Sequence, residues 1–478
     1  MDWRGYIILA IALGVPLALL LHRREKELLA WLCLTVGISI FDARVGINFP
    51  AARLVGLLVI PFLPLGAFDF QVLMRTRPMR ILLIGAAYLA VLGVIYGIIY
   101  PWADVGYLRP WVQSAQGRLF IYGARLVSDF GIVLLVARQI RRGTLPHEVM
   151  RLLLIGTSIA VVGALVELVS HIQIYEILTG YPIQEVAGRV RGFNLEPRWL
   201  GLTMVQGGFI ALLWSRTRRS RSLAFLALAH FAVMVLAVSA SALFAAGAAW
   251  LCLVLFERRT RRPLLGFGAF AAAVVALLLI FGRELAVAAS WITNLSERFT
   301  IRQAVDVATR TPVEVFAQFL DIFDYTAFMV LAASPLAVLI GVGPGLVMLP
   351  GSAFIPNDPR WAWVVETNEG ITSLPTMGIL VEWANGGILM VLLWIAFAVA
   401  CWRAFSDMAE LDQEHADSWL LGRGAFVVIA GTYLVQTSPI SAIWPVFMGM
   451  GIGAAALALQ PAPILAPAAA RLAFQGGE

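Results

Sequence analysis

Lysine is nearly missing from this chain. Lys26 is the only one, and arginine supplies the rest of the 35 basic residues. Charge of either sign is scarce, at 13% of 478 residues, where soluble domains carry about a quarter. Cysteine is scarce too: Cys33, Cys252 and Cys401 lie far apart in apolar runs. That argues against a disulfide framework and against a thiolate metal site. There is no HExxH, no Walker-type phosphate loop, no cluster of aspartates and no Cys/His metal spacing. "GVGPG" at 341–345 lacks the spacing and the strand–helix setting of a nucleotide site and reads as a tight turn. No metal, no cofactor and no nucleic-acid partner is expected. No stretch is long and polar enough to make a separate soluble domain, and no repeat or coiled coil is visible.

What the chain does have is apolar length. It is 60% hydrophobic, with mean hydropathy +0.85. Runs of about 20 apolar residues are what a bilayer core demands. They fall at roughly 6–22, 28–43, 51–72, 80–100, 118–138, 149–171, 197–215, 222–239, 241–257, 263–282, 375–402, 423–439 and 442–460. The expectation is an all-α polytopic membrane protein of about 13 transmembrane helices, with residues 1–478 forming one integral domain. A bilayer is therefore its first partner.

The loops set the orientation. Basic clusters recur in every second loop, around Arg23, Arg75, Arg141, Arg218 and Arg259, and again between Arg403 and Arg423. Cytoplasmic loops carry such an excess. The first run is followed, not preceded, by its positive cluster, so an uncleaved helix with its N-terminus outside is expected. The C-terminus then lies inside. The outer loops become about 101–117, 172–196 and 283–374. Within the last, Phe328 to Val342 is apolar but broken by Ser334-Pro335. It reads as re-entrant, which requires protein or a water-filled cavity to satisfy its backbone.

On this topology, arginines stand on the side the charge bias disfavours. "RVRGFNLEPRWLG" carries Arg189, Arg191 and Arg198, with Glu196 just before the Pro197 helix start. "ERFTIRQAVDVATR", 297–310, carries Arg298 and Arg302 at helical spacing and reads as an interfacial amphipathic helix. Such arginines serve headgroup contact, structural ion pairs or anion binding, and the sequence leaves all three open. "ETNEG" places Glu366 and Glu369 before the next span, where Glu382 and Asn385 precede Gly386-Gly387. Ionisable groups inside a membrane are functional suspects. Glu167 and His171 stand one turn apart, either as a base and its orienter or as a packed polar pair. Arg125 and Asp129, at the same spacing, read as internal glue.

Taken in order, these pieces resemble the O-antigen ligase and polymerase superfamily of bacterial envelopes. The matching stretches are "RVRGFNLEPRWLG", the small-residue helix "SASALFAAGAAW" at 239–250, the loop ending "SPLAVLIGVGPG", and "TNEGITSLPTMGILVEWANGG" at 367–387. They cover roughly residues 185–400. The resemblance implies a GT-C-like membrane glycosyltransferase of the bacterial inner membrane, acting on an undecaprenyl-diphosphate-linked oligosaccharide without a metal. It implies Arg191 and Arg302 as diphosphate ligands, with Arg189, Arg298 and Arg198 next. Glu196, Glu366 and Glu369 are the candidate bases. One departure matters: the ligase branch has a histidine where this chain has Thr367, and none of its five histidines lies in the long loop. That favours the polymerase branch, in which a chain-length regulator is a further partner. A ligase moving glycan to a lipid or protein acceptor is the alternative. A transporter of a lipid-linked glycan or another anion is the reading from outside the enzymes, although paired broken helices in two related halves are not visible.

Overall fold

A computed structural model describes residues 3–44, 48–62, 67–99, 114–180, 190–237, 239–257, 322–355, 375–436 and 443–459. The helices in chain order are α1 (Trp3–Leu21), α2 (Glu25–Thr35), α3 (Ala51–Phe62), α4 (Ala67–Arg75), α5 (Arg77–Ile99) and α6 (Ala115–Arg141). They continue with α7 (Pro146–Ser170), α8 (Ile174–Thr179), α9 (Pro197–Arg218), α10 (Arg221–Leu236) and α11 (Ala240–Phe256). Then come α12 (Ile322–Ala333), α13 (Pro335–Ile340), α14 (Met348–Gly351), α15 (Gly378–Leu411), α16 (Ala416–Val435) and α17 (Ile443–Ala458). One two-residue antiparallel ladder, Ala43–Arg44 with Asn48–Phe49, is the only strand pairing among the described residues.

Among the described residues, six helices, α1, α5, α6, α7, α15 and α16 with the single 3-10 turn before it, are long and apolar enough to cross a membrane. The chain is an all-α, multi-pass membrane protein. Its lipid-facing side is plain along α5, where Ile84, Val91, Val94, Ile98 and Ile99 are exposed. Its centre is α9, which packs against α7, α10, α11 and α16. Every residue from Trp199 to Ala211 is buried, because a helix enclosed by other helices has no lipid face and can carry Thr203 and Gln206 inward.

One expected span is corrected. The run 28–43 is α-helical only within the 11 residues of α2, about 16 Å at 1.5 Å per residue. In the run 51–72, α3 is described to Phe62 and α4 from Ala67, and residues 63–66 between them lie outside the described residues. Helix α2 is not long enough to cross a core of about 30 Å. The chain bends between α2 and α3 through a 3-10 turn at Ser39–Phe41. The Asp42 carboxylate accepts from the Ala51 N–H at 3.1 Å and so starts α3. The bend's backbone is non-helical yet sheltered, which membrane proteins tolerate only within protein.

Elsewhere, the run 375–402 continues to Leu411, and its helix is broken at Gly386 and Gly387. Gly387 has φ +65°, and a Cβ there would stand 2.1 Å from the Leu339 carbonyl oxygen. Only glycine admits that approach. The stretch Phe328–Val342 forms the end of α12, then α13, divided at Ser334, whose hydroxyl accepts from the Ala337 N–H at 3.3 Å. The expected span 263–282 and the amphipathic segment 297–310 lie outside the described residues.

Candidate functional site: an arginine turn and a charged cavity

The segment from Arg191 to Asn194 is a tight turn closed by the Asn194 N–H on the Arg191 carbonyl at 3.0 Å. Gly192 takes φ +59°, where a side chain is strained. Two elements hold the turn. From α7, the Glu167 carboxylate accepts from the N–H groups of Arg191, at 3.2 Å, and of Gly192. From the α2–α3 bend, the Ser39 hydroxyl accepts from the Leu195 N–H at 2.8 Å and reaches the Phe193 carbonyl at 3.5 Å. The Phe193 ring fills the space beside Gly163 of α7. Arg191 itself is 5% exposed.

Glu196 precedes α9 as its N-cap and pairs with Arg198 at 3.3 Å, its side chain 43% exposed. Glu167 therefore serves the Arg191 turn, while His171 ends α7 in the left-handed conformation at φ 56°. Of the sequence-derived candidates, Arg191, Glu196 and Arg198 are brought to one place, the mouth of α9. Arg189, Arg298, Arg302, Glu366 and Glu369 lie outside the described residues.

The helix that leaves this turn lines a cavity of about 800 Å³ with Leu202 and Gln206. Helices α3, α5, α6, α15, α16 and α17 complete its wall. Most of the lining is apolar. One side is not: Arg53, Arg125, Asp129, Glu382 and Tyr433 all face it. Arg53 Nε stands 3.2 Å from one Asp129 oxygen, and Arg125 Nε 3.8 Å from the other. Glu382 accepts from the Tyr433 hydroxyl at 2.6 Å, and its second carboxylate oxygen is buried without a hydrogen bond among the described residues. A second cavity of about 520 Å³ shares Glu382, Trp394 and Tyr433 with the first. Trp394 stacks on Tyr433 at 5.7 Å and on Trp444 at 5.6 Å, so this partition is an aromatic stack with one carboxylate in it.

The break in α15 is clasped from the side of the cavity. The Val342 N–H donates to the Ala384 carbonyl at 2.7 Å, and the Gly345 N–H to Asn385 Oδ1 at 2.9 Å. Asn385 Nδ2 donates to the Tyr122 hydroxyl at 2.8 Å. From α5, Tyr88 and Tyr96 donate to the carbonyls of Gly386 and Gly341 at 3.0 and 2.8 Å. The "GVGPG" turn is thus a bracket for the broken helix, and Pro344 reaches the cavity wall. Among the described residues, no group of three or more His, Cys, Asp or Glu side chains is placed to hold a metal ion.

Sequence reading missed Arg53, Tyr122 and Tyr433. For Arg53 there was a signal, an arginine at the head of an apolar run. For the tyrosines there was none, since only the packing of distant helices brings them to the cavity. Fold and site together define a multi-pass, all-α membrane protein with charge buried among its helices. No family model matches the chain, and neither does any curated protein.

Proposed function

We propose that the protein is a glycosyltransferase of the bacterial inner membrane that joins polysaccharide repeat units carried on undecaprenyl diphosphate. In this reading the fold is GT-C-like with about 13 spans, the N-terminus and the Arg191 turn are periplasmic, and the C-terminus is cytoplasmic. One observation carries it: an arginine on a turn braced by α7 and the α2–α3 bend stands at the mouth of a helix that runs down a large, mostly apolar cavity. A braced cation beside an apolar chamber suits a substrate with an anionic head and a long hydrocarbon tail.

The chemistry is a displacement at the anomeric carbon, with inversion. A sugar hydroxyl of the acceptor attacks, the bond from that carbon to the diphosphate oxygen breaks, and lipid diphosphate leaves. Arg191, with Arg302, Arg189, Arg298 and Arg198, offsets the charge that builds on the leaving group. The hydroxyl proton passes to a carboxylate, for which Glu196, Glu366 and Glu369 are the candidates. A chain-length regulator would act on the same product.

Purified protein incubated with lipid-diphosphate repeat units should lengthen the glycan and release lipid diphosphate. Arg191→Ala should abolish that lengthening while the protein still elutes as a folded species in detergent. Normal glycan length in that variant removes Arg191 from the site. A second reading, transport of a lipid-linked glycan or another anion, draws on the break in α15 and the charge inside the cavity, both features of carriers. Movement across liposomes with no bond cleaved would decide for it.

A further inference from the structure

Arg125 projects from the middle of α6 into the 800 Å³ cavity, yet its guanidinium makes no hydrogen bond among the described residues. Its one carboxylate neighbour within 4 Å among the described residues is Asp129, at 3.8 Å, beyond hydrogen-bond length. Asp129 is already engaged by Arg53 at 3.2 Å. Glu382, the other carboxylate on this wall, accepts from Tyr433 and meets Arg125 only through longer-range attraction. Arg53, which also feels Asp42, holds Asp129 closely, and the terminal fork of Arg125 donates no hydrogen bond among the described residues. On the same wall, the buried side-chain amide nitrogen of Gln436 has no partner among the described residues either. A cation held among apolar helices is costly unless an anion meets it.

The rest of the cavity specifies what such an anion would be attached to. Its lining is dominated by Leu, Val, Ile, Met and Trp side chains. Ile60, Val94 and Val127 both line it and face outward, exposed at 39%, 64% and 47%. The cavity thus opens sideways, where the bilayer lies, beside the apolar face of α5. The size falls within the range of small-molecule sites, about 300–1,000 Å³.

We propose that this cavity is a binding site for a long-chain carboxylic acid, which enters from the bilayer, seats its carboxylate on the Arg125 guanidinium and lays its chain along the apolar lining. A planar fork with open N–H groups matches one carboxylate bidentately. A phosphate monoester, with up to two charges, would meet more repulsion from Asp129 and Glu382. The cavity is the chamber that the enzyme reading gives to the lipid tail, but this proposal rests on Arg125 and not on the Arg191 turn, and its binding is read without any glycosyl transfer, so loss of acid binding in Arg125→Gln and loss of glycan lengthening in Arg191→Ala are separate outcomes.

The test uses the whole protein in nanodiscs and a dibrominated stearic acid, whose bromines quench nearby tryptophans. Trp394 and Trp444 both line the cavity. Quenching should saturate for the wild type. It should weaken by about tenfold or more in Arg125→Gln, the loss of one charge-assisted pair, and by only a few-fold in Arg125→Lys. The brominated alcohol of equal chain length should bind about tenfold more weakly than the acid. A second variant guards against misfolding at Arg125. Gly123 lines the cavity with nothing within 4 Å of an added Cβ, so Gly123→Leu fills the chain's space and should also weaken quenching. Equal quenching in Arg125→Gln, equal quenching by the alcohol, or tighter binding of an alkyl phosphate of that chain length would each overturn the assignment.

Discussion

Arg191 and Arg125 are both arginines set among helices, and they are held in opposite ways. Arg191 sits on irregular backbone that two separate elements, α7 and the α2–α3 bend, pin in place. Arg125 sits on an unbroken helix, and what is irregular there is the charge balance around its side chain. The first place is fixed by backbone hydrogen bonds and a glycine conformation. The second is fixed by which helices happen to face each other. The difference predicts different responses to mutation. The turn should break by strain, and the cavity should break by loss of counter-charge.

The largest effect is expected at the cavity. Asp129→Asn leaves Arg53 and Arg125 without their shared carboxylate, and should cost about 3–5 kcal/mol, the loss typical when one member of a buried charge pair is removed. Thermal unfolding in detergent would show it as a clear fall in Tm, and an unchanged Tm would mean that solvent or lipid already screens the arginines. Next comes the turn. Gly192→Ala forces a side chain into φ +59° with its Cβ 2.8 Å from the Ala164 nitrogen, which should cost about 1–3 kcal/mol. The smallest is Ser39→Ala, about 1 kcal/mol for the lost bond to the Leu195 N–H. The comparison sharpens in double variants. Ser39→Ala should couple with Gly192→Ala by more than about 0.5 kcal/mol, since both act on one turn, and add independently to Asp129→Asn.

The same contrast explains what could be read from the sequence. The Pro197 start of α9, the Ser334-Pro335 division and the Gly386-Gly387 break are local signals, written in residues that restrict or free the backbone, and each falls where those residues stand. The turn at Arg191–Asn194 announced itself the same way, through its glycine. The brace did not: nothing near Ser39 or Glu167 says that they meet residues 156 and 24 positions away. Spacing suggested that Glu167 faces His171, but the carboxylate turned to a stronger demand, two N–H groups of a sharp turn with no helical partner. The short α2 was hidden because hydropathy measures how apolar a run is and not whether its backbone stays helical. The cavity's charged wall was half visible: Arg125 and Asp129 were seen as a pair, but Arg53 and Tyr433 come from helices far along the chain.

The bend between α2 and α3 has a consequence for how the chain is made. The α2 arm is about half a bilayer long, so it cannot span lipid by itself. The bend's partners are Leu195, which lies 156 residues beyond Ser39, and Thr157 and Thr203, against which Gly37 packs. None of them exists when the bend leaves the ribosome. The bend must wait, unfinished, until α7 and α9 have been synthesised, so an early part of the chain is among the last to close.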